Sequence, residues 1–226
     1  MGHRGHSRHV RHGCSVILVA FTGFAGAGKS TMARLGYAAF GGVRLSFAAP
    51  MKAAVARLFP EWPPEALYGP SAERERPING ITPRRALQTL GSWGRDLAPR
   101  LWVDRAIKPL LLGPPTTALG WFDDLRYPNE AEAILACGGH VIYLDAPEAE
   151  PPWYRQAAPW GWLHEATGGR LGMHPSEAGV LDVRRDPRVV RVRRRALSVD
   201  TWAAIEGYLR SLGLPGSATG GPRPAG

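Results

Sequence analysis

The sequence predicts an α/β fold with a mostly parallel sheet between two layers of helices, because short apolar runs alternate with segments of helical periodicity. The run Val16 to Phe21 is continuously apolar, as expected for a strand that is buried on both faces. A glycine-rich loop follows and leads into a helical segment, Lys29 to Phe40. The 226 residues and 44% hydrophobic content suffice for one core with small appendages.

The later segments continue the same alternation. We predict further strands at Val43 to Phe47, Ala118 to Phe122, His140 to Leu144 and about Val189 to Val192. We predict further helices at about Met51 to Leu58, from Thr82 and Pro83, at Leu101 to Leu112, from Asn129 to Ala136, and at about Thr201 to Leu212. Thr82 caps its helix and Pro83 fits the first helical position, whereas Asn129 with Glu132 indicates a capping box.

The helix that begins at Thr82 carries two stripes at helical spacing. The first is apolar and is expected to face the core: Leu87, Leu90, Gly94 and Leu97. The second presents hydrogen-bonding groups interrupted by a glycine: Arg84, Gln88, Gly91 and Arg95. Such a stripe can bind a flat ligand, or it can be a solvated helix face.

One domain is expected at residues 15–213, with an insertion at about 60–82 and a lid at about 146–175. Residues 1–14 and 214–226 are expected to be disordered tails, since they lack apolar periodicity. The first tail contains His3, His6, His9 and His12 without an accompanying carboxylate, so we interpret it as a tail rather than a metal site. The basic run Arg184 to Arg195 is interpreted as a solvated face or an edge strand.

The net charge of +9 suits an anionic partner, namely a nucleotide, a nucleic acid or a membrane surface. The cysteines, Cys14 and Cys137, have no metal-type or CxxC spacing, which is typical of a reduced cytosolic protein. No apolar run approaches the roughly 20 residues of a membrane span. We therefore expect a cytoplasmic protein.

Residues Gly23 to Ser30 match GxxxxGK[ST] between a predicted strand and a predicted helix, which is the context of a phosphate-binding P-loop. The fold class is thus a three-layer P-loop NTPase fold. The predicted ATP-binding residues are Gly23, Ala25, Gly26, Ala27, Gly28, Lys29, Ser30 and Thr31. Lys29 is expected to reach the β- and γ-phosphates and Ser30 to coordinate Mg²⁺. A carboxylate from the end of a neighbouring strand completes such a site; Asp123 and Asp124 are candidates, and Asp124 is the predicted ligand.

Several segments that accompany the P-loop form an ordered set over most of residues 17 to 180. They are Phe47-Ala48-Ala49-Pro50-Met51-Lys52, Thr82 to Gly91 with Arg95 and Trp102, Asp124 to Glu130, and His174-Pro175-Ser176-Glu177. This set resembles the deoxynucleoside monophosphate kinases of bacteriophages. The resemblance implies an adenylate-kinase-like fold with an insertion and a lid, and ATP-dependent conversion of a deoxynucleoside monophosphate to its diphosphate.

An acceptor monophosphate carries about two negative charges, so an arginine fork close to the P-loop is needed to bind it. The predicted catalytic residues are Lys29, Arg126 and Asp124, and the predicted acceptor-binding residues are Lys52, Arg84, Gln88, Arg95, Trp102, Asp124, Arg126 and Glu130. Gln88 can read a base edge, and Trp102 or Trp93 can stack. Alternatively, Trp102 lies in the core and Glu130 stabilises a helix N-terminus through its charge.

A lid has to exclude water during transfer, and Arg155 and Arg170 are candidates for its closing contact. The chain departs from its relatives at Asp145-Ala146, where they commonly carry an arginine. Three other interpretations stay open: a P-loop kinase for another small acceptor such as a sugar, shikimate or a coenzyme precursor; a nucleic-acid-stimulated ATPase; and a degenerate P-loop scaffold. We expect a small nucleotide as partner rather than a membrane or nucleic acid, and a homodimer stays open.

Overall fold

The computed structural model describes residues 16–112, 119–149, 175–195 and 198–214. Outside these ranges lie the predicted N-terminal tail and nearly all of the predicted C-terminal tail. Most of the predicted lid, including Arg155 and Arg170, also lies outside them. The histidine-containing segment and His174 lie outside them as well.

The described residues form a five-stranded sheet in which every neighbouring pair is parallel. Its strands are β1 (Ile17–Thr22), β2 (Val43–Leu45), β3 (Leu119–Phe122), β4 (His140–Asp145) and β5 (Val190–Arg193). Their order in the sheet is β2-β3-β1-β4-β5, so β1 is central. The predicted α/β P-loop fold class is confirmed, and the carboxyl ends of all strands meet at one edge, where ligands bind in such sheets.

Helices cover both faces of the sheet. They are α1 (Lys29–Phe40), α2 (Ala49–Leu58), α3 (Glu65–Tyr68), α4 (Pro83–Leu97), α5 (Leu101–Leu112), α6 (Pro128–Ala136), α7 (Pro175–Arg185) and α8 (Ser198–Ser211). Two short 3₁₀ turns span Ser71–Glu75 and Pro147–Ala149. Among the described segments, no helix is both long enough and apolar enough to span a bilayer.

The alternation of side chains along the strands produces two cores. On one face, Leu18 and Phe122 pack with apolar residues of α5, α6 and α7. On the other face, Phe21 and Trp121 pack with residues of α1 and α8. This arrangement makes the three layers and fixes the ends of β1 and β3 side by side at the edge of the sheet.

A third, smaller core lies beside the sheet and forms the wall of the site described below. Its buried members are Val55 of α2, Trp62, Ala66 and Leu67, and Leu87 and Leu90 of α4 pack against them. Leu97, expected in the same stripe, is 67% exposed because it occupies the last turn of α4, beyond the reach of this core. The predicted Thr82 cap is confirmed, since the Thr82 hydroxyl accepts from the backbone N–H of Arg85 at 3.2 Å.

The predicted capping box of Asn129 with Glu132 is wrong. Helix α6 begins at Pro128, and the carboxylate of Glu130 accepts from the backbone N–H groups of Arg126 at 2.7 Å and Tyr127 at 3.0 Å. A carboxylate at the third helical position can reach back to the free amides before the helix. The predicted pair of residues lies two positions too far along the chain. The structure also adds helix α7, which the sequence analysis did not predict.

Candidate active site

The loop from Gly23 to Ser30 connects the carboxyl end of β1 to the first turn of α1. Gly26 and Gly28 have φ angles of 81° and 93°, in the left-handed region that L side chains rarely adopt. At Gly23 an added Cβ would lie 2.9 Å from the carbonyl oxygen of Leu144. Glycine is thus favoured at these positions for steric reasons. Ser30 is exposed at the helix N-terminus, where anions bind.

Lys29 is folded back into this loop. Its ammonium group donates to the carbonyl oxygens of Gly23 at 2.9 Å and Phe24 at 2.8 Å, and the residue is only 8% exposed. Burial, together with a smaller effect of the nearby Arg126 guanidinium, lowers the pKa of Lys29 from its ordinary 10.5 to about 8. A buried cation bound only to carbonyl dipoles is a group that an arriving anion can stabilise.

Asp124 follows β3 and binds the segment that leads from β2 into α2. Its Oδ1 accepts from the backbone N–H of Phe47 at 2.9 Å, while its Oδ2 accepts from the Ser46 hydroxyl at 2.6 Å and the Ala48 N–H at 2.9 Å. Burial raises the pKa of the Asp124 carboxyl, and these three donors oppose the rise. Asp124 therefore fixes the start of α2, in addition to facing the P-loop.

Asp123 has a different environment from its neighbour. Its carboxylate forms an ion pair with Arg44 at 3.4 Å, and its side chain is 18% exposed. Both Asp123 and Asp124 line the same cleft as Lys29 and Ser30, so carboxylates and a hydroxyl share this cleft. Such oxygen ligands are the type that Mg²⁺ prefers.

The cleft has a volume of about 520 Å³ and lies between the P-loop, α2, α4 and the segment after β3. The cationic side chains that line it come from separate parts of the chain: Lys29, Lys52, Arg74, Arg84, Arg95 and Arg126. They outnumber the acidic side chains in the lining, which are Asp123, Asp124 and Glu130. The cleft therefore carries an excess of positive charge opposite the P-loop, which suits a second anion.

Most of the predicted acceptor residues meet in this cleft. Arg126 lines it, and among the described residues no carboxylate forms an ion pair with its guanidinium. Arg95 lies 4.3 Å from the ring centroid of Tyr127, which makes a flat cationic and aromatic surface. Gln88 is exposed on the same wall, and Lys52 projects from α2.

Arg84, predicted as a phosphate ligand, is engaged with the insertion. Its Nε donates to Glu75 and its NH2 to the Ser71 hydroxyl at 3.2 Å. The residue between these two partners, Arg74, lines the cleft and was missed by the sequence analysis. Nothing in the local pattern Ser-Ala-Glu-Arg-Glu-Arg distinguishes Arg74 from Arg76, because only the fold of the insertion decides which guanidinium faces inward.

Trp102 does not reach the cleft. Its ring is 8% exposed between α4 and α5, and its Nε1 donates to the carbonyl oxygen of Gly91 at 3.1 Å. An added Cβ at Gly94 would lie 2.5 Å from that Nε1, so Gly94 permits the close contact. The core alternative holds for Trp102, and Trp93 is 56% exposed and outside the cleft lining.

Glu130 lines the cleft but its carboxylate caps α6, as described above. Burial raises the pKa of Glu130 from its ordinary 4.5 to about 8, and the two backbone donors oppose that rise. Glu130 therefore holds the backbone of Arg126 and Tyr127 in place, whether or not it also touches a ligand.

One further cation lies on the outer side of the P-loop. The NH1 group of Arg194 donates to the carbonyl oxygen of Gly26 at 2.8 Å, and its Nε lies 3.3 Å from the Glu148 carboxylate. The basic run was interpreted as a solvated face or an edge strand, and β5 is one of the two edge strands of the sheet that the described residues form. The contact from Arg194 to the P-loop was not predicted, because it joins residues 168 positions apart.

Comparison with known proteins gives no match to any family model. Among solved structures, the chain aligns with a dephospho-CoA kinase from Campylobacter jejuni, at 12% identity over 88% of this chain and 98% of that one, with a TM-score of 0.47. It aligns with TT1252 from Thermus thermophilus at 19% identity over 87% and 98%, with a TM-score of 0.43. A Deinococcus radiodurans tunicamycin resistance protein aligns at 15% identity over 90% and 99%, with a TM-score of 0.40.

A curated relative supplies closer sequence similarity. A protein of Acanthamoeba polyphaga mimivirus named "Putative deoxynucleotide monophosphate kinase" is 30% identical over 151 residues. The aligned region covers 58% of this chain and 75% of the viral protein. With the P-loop, the parallel sheet and the cationic cleft in place, the chain belongs to the family of P-loop kinases that this viral protein represents.

Proposed function

We propose that this kinase transfers the γ-phosphoryl group of ATP to a deoxynucleoside monophosphate, which yields the diphosphate. The observation that carries the proposal is a single cleft that joins the P-loop to a second group of cations, which includes Lys52 and Arg126. A nucleotide hydrolase needs one phosphate site, whereas two facing anion sites suit two phosphate-bearing substrates.

The P-loop is proposed to hold the ATP phosphates. Lys29 would exchange its bonds to the carbonyl oxygens of Gly23 and Phe24 for the β- and γ-phosphates. Ser30 and the carboxylates Asp123 and Asp124 are proposed to hold Mg²⁺, which neutralises charge on the transferred group. Asp124 retains acceptor capacity beyond its three protein donors, since a carboxylate offers about four lone-pair sites.

The other end of the cleft is proposed to hold the acceptor. Arg126 would bind the acceptor phosphate, and an oxygen of that phosphate would attack in line without a covalent enzyme intermediate. Gln88 presents an amide that can read a base edge, while the Arg95 and Tyr127 pair offers a flat surface beside it. The proposal places no part of the nucleotide against Trp102.

Closure of the cleft belongs to the same proposal. The kinase domain would span residues 15–213, and the lid at about 146–175 would exclude water, with Arg155 or Arg170 in the closing contact. We also propose a cytoplasmic setting, in a host cell if the gene is viral, in which Cys14 and Cys137 stay reduced.

A coupled assay of ADP formation tests the function. ATP is mixed with each common deoxynucleoside monophosphate and, separately, with ribonucleoside monophosphates, with shikimate and with DNA. We expect ADP only when a monophosphate is present, and none from the Lys29→Met variant. The proposal fails if no deoxynucleoside monophosphate is consumed, or if ADP formation depends on DNA.

A further inference from the structure

We propose that Arg74, supplied by the insertion, is a ligand of the acceptor phosphate and that Arg84 positions it from behind. This inference rests on the proposed function and names two roles within the same site. Arg74 is half-buried in the 3₁₀ turn Ser71–Glu75 and lines the cleft together with Arg126 and Lys52.

The orientation of Arg74 is fixed from one side by the backbone. Its NH1 donates to the carbonyl oxygen of Gly69 at 3.1 Å. Gly69 ends α3, where its N–H donates to the carbonyl oxygen of Glu65 at 2.9 Å, and an added Cβ would lie 2.5 Å from that oxygen. Because one guanidinium nitrogen is held in this way, the Arg74 side chain keeps a defined position in the lining of the cleft, with donors to spare for a ligand.

The positive charges around Arg74 favour the binding of an anion. Burial lowers the pKa of Arg74, and the like charges of Arg84 and Arg126 lower it as well, while the Glu75 carboxylate opposes them. Burial and, after it, the charge of Arg74 lower the pKa of Lys52. Glu75 pairs with Arg84, and no carboxylate of the described residues forms an ion pair with Arg74, so a phosphate dianion bound beside Arg74, Arg126 and Lys52 would relieve their repulsion.

Arg84 is bonded to the two ends of the turn that carries Arg74. Its guanidinium donates to Ser71 at the start of the turn and to Glu75 at its end. These bonds connect the turn to α4 and set the distance between Arg74 and the rest of the cleft. Arg84 is therefore a positioning residue, although the sequence pattern places it in the polar stripe.

Steady-state kinetics of the variants separates the two roles. We expect Arg74→Ala to raise the acceptor KM by about 10- to 100-fold, because a charge-assisted hydrogen bond pair is lost, while the ATP KM changes little. Arg74→Lys keeps the charge and should recover part of the loss. Arg76→Ala is the matched control: it lies two residues away with a 77% exposed side chain outside the cleft lining, and should match the wild type.

A double variant tests the positioning role. If Arg84 acts through Arg74, Arg84→Ala raises the acceptor KM less than Arg74→Ala does, and the double variant is no worse than Arg74→Ala alone. Effects that multiply would show that Arg84 binds the phosphate itself. An unchanged acceptor KM in Arg74→Ala, with the wild type active, would overturn the inference and leave the proposed function intact.

A second readout needs no turnover. The P-loop binds phosphate as well, so the proteins compared all carry Lys29→Met. Inorganic phosphate alone should raise the Tm of Lys29→Met and of Lys29→Met with Arg76→Ala, and the rise should be much smaller in Lys29→Met with Arg74→Ala. An equal rise with Arg74→Ala contradicts the assignment even though no acceptor is phosphorylated. A wild type that binds phosphate through Arg74 but consumes no monophosphate would reject the proposed function alone.

Discussion

The Lys29 ammonium lies 2.8 Å from the carbonyl oxygen of Phe24, inside the loop that the lysine itself follows. The loop thus contains a positive charge of its own near the place where a phosphate group would bind. This contact keeps the Lys29 ammonium inside the loop. The charge of Lys29 is therefore expected to affect the stability of the protein, the pH dependence of nucleotide binding and the activity.

Removal of the Lys29 charge is expected to stabilise the unliganded protein. The pKa of Lys29 is lower in the folded state, about 8, than its ordinary 10.5. Below pH 8 the buried ammonium therefore destabilises the folded state, and this cost is lost as the pH rises from 8 to 10.5. Lys29→Met should raise the free energy of unfolding near pH 7 by about 1 to 3 kcal/mol while it abolishes turnover. Urea unfolding measures the first effect.

The control for this prediction is Lys108→Met. Lys108 is an exposed lysine of α5 that pairs with Asp104, so its loss should leave turnover unchanged. If Lys29→Met lowered the free energy of unfolding, and lowered it by more than Lys108→Met does, the account of the buried charge would be contradicted.

Nucleotide binding should take up a proton above neutral pH. A polyphosphate raises the pKa of Lys29 from about 8 toward its ordinary value, so the affinity for a non-hydrolysable ATP analogue should fall as the pH rises above 8. Titration calorimetry at about pH 9 in buffers of different ionisation enthalpy measures the proton. Equal affinity at about pH 7 and pH 9, with no proton uptake, would be inconsistent with this mechanism.

Substitution of the two aspartates after β3 should change the free energy of unfolding by different amounts. Asp124→Ala removes the acceptor of the Ser46 hydroxyl and of the Phe47 N–H, and leaves the Ala48 N–H with the Ser46 oxygen alone. This variant should lower the free energy of unfolding by about 2 to 4 kcal/mol. Asp123→Ala removes only a partly exposed pair with Arg44 and should lower it by less than about 1 kcal/mol. Urea unfolding of both variants gives the comparison, and the reverse order would refute it.

Glu130 should make stability depend on pH. Its pKa is raised from 4.5 to about 8, so the folded state binds more protons than the unfolded chain between these values, and stability should fall as pH rises through that window. Glu130→Gln keeps an acceptor for the helix cap and should reduce this dependence. Glu130→Ala loses the cap and should lower the free energy of unfolding by about 1 to 2 kcal/mol.

Thermal unfolding of the three proteins at several pH values measures the effect. Asp124 faces the same cleft and also has a raised pKa, so the comparison uses the slope difference between wild type and Glu130→Gln. An identical slope in both proteins would rule out Glu130 as its source.

The sequence was informative wherever the determining contacts are local. The P-loop motif, the Thr82 and Pro83 helix start and the apolar strands depend on neighbours within a few residues, and the fold confirms the class that they predict. Arg126 and Lys52 line the cleft because their positions relative to strand ends are fixed by a parallel sheet, and this placement could be predicted.

The sequence was uninformative where distant segments decide the outcome. Periodicity placed Trp102 on a helix but did not predict which way its ring faces. The direction of the ring depends on the close contact with Gly94. Arg74 and Arg76 look alike in sequence, and only the bond to Gly69 and the brace from Arg84 distinguish them. The tie between Asp124 and Ser46 joins residues 78 positions apart and has no local signal.

Direct detection of the transferred phosphoryl group tests the central claim. ATP labelled at its γ-phosphate is incubated with the protein, Mg²⁺ and a deoxynucleoside monophosphate, and the products are separated by chromatography. We predict that the label appears in the deoxynucleoside diphosphate with the wild type and not with Lys29→Met. Label found only in inorganic phosphate, or remaining in ATP for every acceptor offered, would contradict the account.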